Sequence, residues 1–136
     1  MLRLLVYIMT SDTGKAPKIK NGICILKGCK KNTIEKHAEI GEWVIGIGSK
    51  KMCNGKYDRK MIYAMKVEEK KPPSSSHFTH YGNKAIFVGI LENILKTRFR
   101  TKYINDPKLY QKFDKFMGRE PKGKIDSYCC KMPCKH

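Results

Sequence analysis

Two short strings place polar side chains where an apolar segment ends, and their residues are the first candidates for chemistry. The strings are YIMTSDTGKAP (residues 7–17) and EIGEWVIGIGS (residues 39–49). In each, an apolar segment meets small and polar residues, whose backbone amides and short side chains can contact a ligand. The second string holds Trp43, the only tryptophan of the chain. Together these features are suited to a flat, anionic or nucleotide-like partner.

Trp43 and Ser49 are the candidates of the second string. A base stacked on an aromatic ring gains about 1–3 kcal/mol without any readout of sequence. Gly46 and Gly48 permit close approach of a ligand to the backbone, and the Ser49 hydroxyl can donate or accept a hydrogen bond. The alternative is that Trp43 is a core residue packed within the fold.

In the first string, Ser11, Asp12 and Gly14 are the candidate base-binding residues. A carboxylate such as that of Asp12 can accept a hydrogen bond from the exocyclic amine of a base. The alternative is an ordinary turn in which Asp12 bonds to its own backbone.

The charge of the chain points to a polyanionic partner. The chain has 29 Lys and Arg against 12 Asp and Glu, a formal net charge of +17. Such a field attracts nucleic acid, DNA or RNA, through contacts with phosphate. The predicted phosphate-binding residues flank the two strings: Lys18, Lys20, Lys50 and Lys51. The alternative is a general lysine bias, since only five of the 29 basic residues are arginines.

The six cysteines are expected to be reduced thiols rather than disulfides. A zinc site is the less favoured interpretation. It would be assembled from two cysteine pairs whose spacing lies at the edge of the usual range, Cys24 with Cys29 and Cys129 with Cys134, with His136 close behind the second pair. A further pair, His77 and His80, is a weaker candidate because no carboxylate lies near it in the sequence. We therefore expect no cofactor.

A catalytic set is not recognisable in the sequence. The chain has no phosphate-cradling glycine loop and no deaminase signature, and the pairing of Cys53 with His37 as nucleophile and base is arbitrary. A nucleic-acid-binding module is the favoured interpretation. The alternatives are an enzyme acting on a modified nucleotide or base, and a zinc-stabilised basic interaction protein.

The hydrophobic pattern predicts an α+β protein. Apolar segments predict strands at residues 4–9, 23–26, 43–47, 61–67 and 85–91, and a short helix is predicted at residues 34–39. A last helix is predicted to begin after Asp106, with Pro107 in its first turn, and to end at Gly118. About five strands with a few helices suit a small, partly open β-barrel with loops at one rim.

Length and hydropathy predict one domain, residues 1–118, followed by an irregular, basic, Cys-containing tail, residues 119–136. No apolar segment approaches the roughly 20 residues that span a membrane, and the first apolar run is too short for a secretory signal. We therefore expect a cytoplasmic monomer that does not associate with a membrane.

The two strings, with NGICIL (residues 21–26) and Cys29-Lys30 between them and MIYAMKV (residues 61–67) after them, occur in an order and spacing that resemble the nucleotide-modification-associated domain family, second type. That family is grouped with the PUA-like barrels, whose relatives include the EVE, YTH and ASCH domains. The resemblance implies a PUA-like fold and recognition of modified bases in nucleic acid. This chain departs from the family pattern in having Glu42 where Asp is usual, Lys15 where an aromatic is common, and Lys31 in place of Pro. Glu42 is expected to stay exposed.

Overall fold

The computed structural model describes residues 2–9, 18–20, 23–25, 37–69, 76–79, 85–94 and 101–119. The elements in chain order are β1 (Leu4–Met9), β2 (Lys18–Lys20), β3 (Ile23–Ile25), β4 (Trp43–Gly48), a 3-10 helix (Met52–Gly55), β5 (Met61–Lys66), β6 (Ser76–Thr79), α1 (Ala85–Ile94), β7 (Thr101–Ile104) and α2 (Pro107–Gly118). The predicted α+β class is confirmed.

The predicted barrel is wrong, because the described strands form an open sheet. The strand order is β2-β3-β6-β5-β4-β1-β7, with β2 and β7 at the two edges. Strands β1 and β4 run parallel, and the other pairs are antiparallel. The two end strands, β2 and β7, are not paired with each other, so the described part of the sheet does not close.

The central strands are buried on both faces. Along β1, Leu4 and Val6 belong to the cluster that includes both helices, while Leu5 and Tyr7 belong to the cluster on the opposite face. This alternation follows from the two-residue period of a strand. Burial on both faces also explains why β4 is a nearly continuous apolar run, as is typical of a strand with a parallel neighbour.

The prediction of a strand at residues 85–91 is wrong, since these residues belong to helix α1. The segment is apolar along its whole length, and a short apolar run does not distinguish a strand from a helix. In the helix, Phe87, Val88 and Leu91 fall on one side and are buried against the sheet. The burial of this side in one cluster with the sheet residues accounts for the helix, and that contact is not visible in the local sequence.

The prediction of a helix after Asp106 is confirmed. The Asp106 carboxylate accepts hydrogen bonds from the amides of Lys108 and Leu109 at 3.1 and 3.2 Å, and Pro107 occupies the first turn. The apolar stripe of α2 is buried against the same sheet face as α1, and it consists of Leu109, Tyr110, Phe113 and Met117.

Within the described residues, neither helix is long and apolar enough to cross a membrane. The strands predicted at residues 4–9, 43–47 and 61–67 are confirmed, with boundaries that differ by at most one residue. Of the helix predicted at residues 34–39 only residues 37–39 are described, and the tail beyond residue 119 lies outside the described residues.

Candidate functional site

The parallel pairing of β1 and β4, the strands within the two predicted binding strings, brings the carboxyl ends of these strands to one end of the sheet. Met9 lies opposite Gly48 in the register, so both strands end at the same level. Ser49 directly follows β4 there. Strand β1 ends beside it at Met9, and Ser11, Asp12 and Gly14, which follow in the sequence, lie outside the described residues. We call this edge the carboxyl end of β1 and β4.

The connection from β4 to β5 (residues 49–60) concentrates positive charge at the carboxyl end. Residues 50–60 contain five basic residues and one acidic residue, a formal net charge of +4. Lys50, Lys51 and Lys56 are exposed, and no described acidic residue forms an ion pair with them. Exposed ammonium groups with no intramolecular ion pair are suited to contact phosphate.

Arg59 ties this connection to helix α1. Its guanidinium lies 3.0 Å from Glu92 of α1 and 4.0 Å from Asp58. Its backbone has a φ of 61°, a left-handed conformation that non-glycine residues seldom adopt. A hydrogen bond of 3.2 Å from the Arg59 amide to the Gly48 carbonyl oxygen holds that conformation. The connection is therefore anchored at both β4 and α1.

Gly48 is required by the chain's own packing. A Cβ at this position would lie 2.1 Å from the carbonyl oxygen of Tyr57, a backbone atom that cannot rotate away. The Gly48 amide also donates a hydrogen bond of 2.8 Å to the carbonyl oxygen of Lys60. The sequence predicted that a ligand would approach the backbone at this glycine. In the structure, the backbone of the β4–β5 connection occupies that space instead.

We expect Gly48→Ala to lower the free energy of unfolding by about 1–3 kcal/mol, because the added methyl group must displace the Tyr57 backbone. Urea unfolding followed by circular dichroism measures the change. Gly118→Ala is the matched control, since nothing lies within 4 Å of a Cβ at Gly118. Equal effects of the two substitutions would contradict the packing seen at Gly48.

Behind the carboxyl end, two tyrosines meet across Gly46. The hydroxyls of Tyr7 and Tyr63 are 2.6 Å apart, and both rings are buried. Tyr63 fills the space above Gly46, where a Cβ would lie 2.6 Å from its ring. Sequence reasoning did not identify this pair. Tyr7 and Tyr63 are the only aromatic residues in the apolar strands β1 and β5. That was the sequence feature that could have indicated the pair.

Ser49 lies beside this region with its hydroxyl oxygen buried. That oxygen has no hydrogen-bond partner among the described residues. Most buried polar atoms in proteins are hydrogen-bonded, so an unpartnered hydroxyl at the end of a strand marks Ser49 for a further polar contact.

Trp43 lies at the opposite end of β4 and is only 5% exposed. Its indole N–H donates a hydrogen bond of 2.9 Å to Asp114, and its ring meets Phe113 edge to face at 5.4 Å. Six residues of extended chain, about 20 Å, separate Trp43 from Ser49. One base cannot contact both residues, so the structure does not bring the predicted base-binding set together.

The polar contacts around Trp43 hold α2 against the sheet. Asp114 also accepts a hydrogen bond of 3.1 Å from Lys66, and the Tyr110 hydroxyl donates one of 2.5 Å to the Gly41 carbonyl oxygen. Burial lowers the pKa of Lys66, but the contact with Asp114 and nearby negative groups outweigh it and raise the pKa overall. Burial raises the pKa of Tyr110. These contacts stabilise the packing of α2 on the sheet.

Glu42 is fully buried, so the expectation that it stays exposed is wrong. Its carboxylate accepts hydrogen bonds of 2.8 Å from the backbone amide and Nε of Arg3 and from the Glu39 amide. Burial alone raises the pKa of Glu42, but these hydrogen bonds and the Arg3 charge outweigh it, so the pKa lies below its usual value. The same pairing raises the pKa of Arg3. Glu42 therefore joins the start of β1 to the turn before β4.

The four predicted phosphate-binding lysines fall into two separate groups. Lys50 and Lys51 lie at the carboxyl end, whereas Lys18 and Lys20 lie on β2, four strands away from β4. The register through β3, β6 and β5 places Lys20 near the level of Trp43, at the other end of the sheet. The two groups are therefore roughly 30 Å apart by strand spacing and rise.

The residues considered for catalysis and zinc do not assemble in the described part of the chain. His37 precedes β4 at its amino end, while Cys53 follows the strand in the 3-10 helix, so this pair is separated by the length of β4. No group of three or more potential metal ligands occurs among the described residues. Cys24 and His77 lie on strands β3 and β6, and Cys29, His80, Cys129, Cys134 and His136 lie outside the described residues.

Comparison with known proteins identifies a family for this chain. No curated protein and no solved structure matches it. The family model described as nucleotide modification associated domain 2 matches residues 1–73, more than half of the chain. The matched part contains the parallel β1–β4 pair, Glu42, Trp43 and the basic connection, and the match is to the family that the resemblance in the sequence predicted. The chain therefore belongs to the nucleotide modification associated domain 2 family.

Proposed function

We propose that this protein is a nucleic-acid-binding module, linked to nucleotide modification, whose interface is the carboxyl end of β1 and β4. The observation that carries the proposal is the convergence there of exposed lysines with the ends of two parallel strands. The family assignment supports the link to nucleotide modification.

Electrostatics support this end of the sheet as the interface. The net charge of +17 draws a polyanion toward the molecule from any direction. At the carboxyl end, Lys50, Lys51 and Lys56 add exposed charge that no described acidic residue neutralises. At the opposite end, Arg3 and Lys66 are already paired with Glu42 and Asp114. The carboxyl end therefore offers a phosphate unpaired cations beside the ends of two strands, whereas the lysines at the opposite end that are unpaired among the described residues, such as Lys108 and Lys112, lie on the exposed side of α2.

Recognition of a base, the finer part of this proposal, is assigned to the polar residues that follow the two strands. The Ser49 hydroxyl, which is buried and has no partner among the described residues, would supply one hydrogen bond after a local movement that opens it to the base. Ser11, Asp12 and Gly14 follow β1 in the sequence, and Asp12 can accept a hydrogen bond from an exocyclic amine. Trp43 contributes indirectly in this arrangement, by fixing α2 on the sheet.

Binding of a fluorescent single-stranded oligonucleotide is expected to weaken steeply with salt, because lysine–phosphate contacts release counterions. Replacing both Lys50 and Lys51 by alanine should reduce affinity about tenfold or more and lower the slope of log K against log salt by about 1.4. Fluorescence anisotropy at several salt concentrations measures both quantities.

Lys108→Ala with Lys112→Ala is the matched control, since it removes the same charge from exposed positions on α2 at the other end of the sheet. It should leave most of the affinity intact. Equal losses in the two double variants would show that only the overall charge matters, and salt-independent binding would contradict the nucleic-acid proposal.

A panel of oligonucleotides that differ in one modified base tests base recognition separately. Ser49→Ala and Asp12→Asn should reduce the difference in affinity between modified and plain bases while leaving the salt slope unchanged, because neither residue contacts phosphate in this proposal. Mass spectrometry of the recovered oligonucleotides checks for turnover. A changed base would support the enzyme alternative in place of a binding module.

A further inference from the structure

Among the described residues, the ion pairs of the basic connection are all made by Arg59. Its Nε lies 3.0 Å from Oε1 of Glu92 in α1 and 4.0 Å from Oδ2 of Asp58. The Arg59 side chain is 65% exposed, and that of Glu92 is 33% exposed. An exposed guanidinium within the proposed interface is therefore already in contact with a carboxylate from another element.

Arg3 forms the same kind of pair with the opposite burial. Its partner Glu42 is fully buried and accepts hydrogen bonds of 2.8 and 3.1 Å from the Arg3 guanidinium. Separating such a pair leaves a buried charge without compensation. The exposed Arg59–Glu92 pair contributes much less stability, because water solvates both groups when they separate. Arg59 can therefore exchange its partner for another anion, whereas Arg3 cannot.

The backbone of Arg59 has a conformation that does not suit an arginine. Its φ of 61° is left-handed, a region that glycine, asparagine and aspartate adopt more readily. Hydrogen bonds on both sides hold it there, from the Arg59 amide to the Gly48 carbonyl oxygen and from the Lys60 amide to the Tyr57 carbonyl oxygen. Such strain usually costs at least as much free energy as an exposed ion pair contributes. The contact with α1 alone therefore does not account for an arginine at this position.

Side chains, rather than backbone amides, must hold an anion at this point. The amides of Asp58, Arg59 and Lys60 all donate to carbonyl oxygens of the chain itself. Arg59 is the only arginine of residues 49–60. Its planar guanidinium can donate two parallel hydrogen bonds to one phosphate, which a lysine cannot do. The exposed lysines of the connection supply charge around it, so Arg59 is the residue best suited to fix a phosphate in one orientation.

We propose that Arg59 binds a phosphate group of the nucleic acid, and that Glu92 contacts its guanidinium until the phosphate displaces it. This inference rests on the proposed function and adds to it a residue that sequence reasoning did not identify. Each binding event must break the Arg59–Glu92 contact once, so Glu92 lowers the affinity by a fixed factor. That factor is about two- to fivefold, the range that corresponds to an exposed ion pair.

Fluorescence anisotropy of a single-stranded oligonucleotide with the full chain tests the proposal through two single variants. Arg59→Asn should reduce affinity about threefold or more and lower the slope of log K against log salt by about 0.7, the value for one phosphate contact on a single strand. Glu92→Gln should raise affinity about two- to fivefold. A contact that served only to anchor the connection to α1 would make both variants weaken binding or leave it unchanged.

Lys112→Gln and Glu39→Gln are the matched controls, because each removes one charge from an exposed position at the other end of the sheet. They measure the effect of overall charge alone. In the double variant that combines Arg59→Asn with Glu92→Gln, the gain from Glu92→Gln should fall to the value of the Glu39→Gln control, because no guanidinium remains to be released.

Circular dichroism checks that each variant is folded, and Arg59→Asn should keep its melting temperature, because asparagine adopts a left-handed backbone readily. An equal gain from Glu92→Gln with and without Arg59, or an Arg59→Asn variant that binds like Lys112→Gln, would overturn the inference. In either case, weaker binding by Lys50→Ala with Lys51→Ala would leave the proposed function standing. Absence of salt-dependent binding by the unmodified protein would overturn both.

Discussion

Trp43→Ala is expected to lower the free energy of unfolding by about 3–5 kcal/mol, the usual cost of deleting a large aromatic side chain from a core. The indole is almost fully buried, packs against Phe113 and donates its N–H to Asp114. Its removal leaves a cavity under α2 and an Asp114 oxygen that loses one of its two donors. Thermal unfolding should show a melting temperature lower by about 10 °C or more.

Trp43→Phe is the graded control, since it keeps an aromatic ring beside Phe113 and loses only the hydrogen bond and part of the volume. Trp43 is the only tryptophan, so its fluorescence also reports directly on its surroundings. Oligonucleotide bound at the carboxyl end, about 20 Å away, should leave that fluorescence nearly unchanged. Strong quenching on binding, together with an unaltered melting temperature for Trp43→Ala, would place the stacked base at Trp43 instead.

Glu42→Ala is expected to cost about 3 kcal/mol, because it removes a fully buried carboxylate that accepts hydrogen bonds from the partly exposed Arg3 guanidinium and from two backbone amides. The Arg3 guanidinium and the amides of Arg3 and Glu39 would all lose the carboxylate that accepts their hydrogen bonds. Urea unfolding at neutral pH measures the loss. Glu39→Ala is the control, since the Glu39 side chain is exposed and only its backbone amide contacts Glu42.

The lowered pKa of the Glu42 carboxyl group predicts how the free energy of unfolding depends on pH. The pKa of Glu42 is lower in the folded protein than its ordinary value, so the ion pair contributes its full stability above the unfolded pKa. That contribution is lost as the pH falls through the folded pKa. Glu42→Gln should therefore be less stable than the unmodified protein at neutral pH and lose less stability in acid. Parallel pH profiles for the two proteins would contradict this assignment.

Where local signals are strong, the sequence predicts the structure well. Asp106 followed by Pro107 predicts the start of α2, because capping depends on neighbouring residues only. The strands β1, β4 and β5 are predicted by their apolar composition. Strand β7, by contrast, was not predicted, since Thr101–Ile104 contains too few apolar residues to indicate a strand before its pairing with β1 is known.

The candidate site is predictable only in part, for a physical reason. The polar residues that follow β1 and β4 were identified from sequence, and the parallel register then brings the ends of those strands together. Whether Trp43 is a binding surface or a core residue could not be decided locally, because the residues that cover it, Phe113 and Asp114, are about 70 positions away.

By itself, the sequence determined the basic character of the protein, its α+β class, its membership of the family, and the composition of the two loops that follow β1 and β4. Charge, capping and hydrophobic period act over a few residues, so they can be read without a fold. Only the tertiary structure decided that the sheet is open, that residues 85–91 form a helix, that Glu42 is buried on Arg3, and that Trp43 and Ser49 lie at opposite ends of β4. Each of these depends on which distant segment packs against a residue, and distant contacts become defined only when the chain folds.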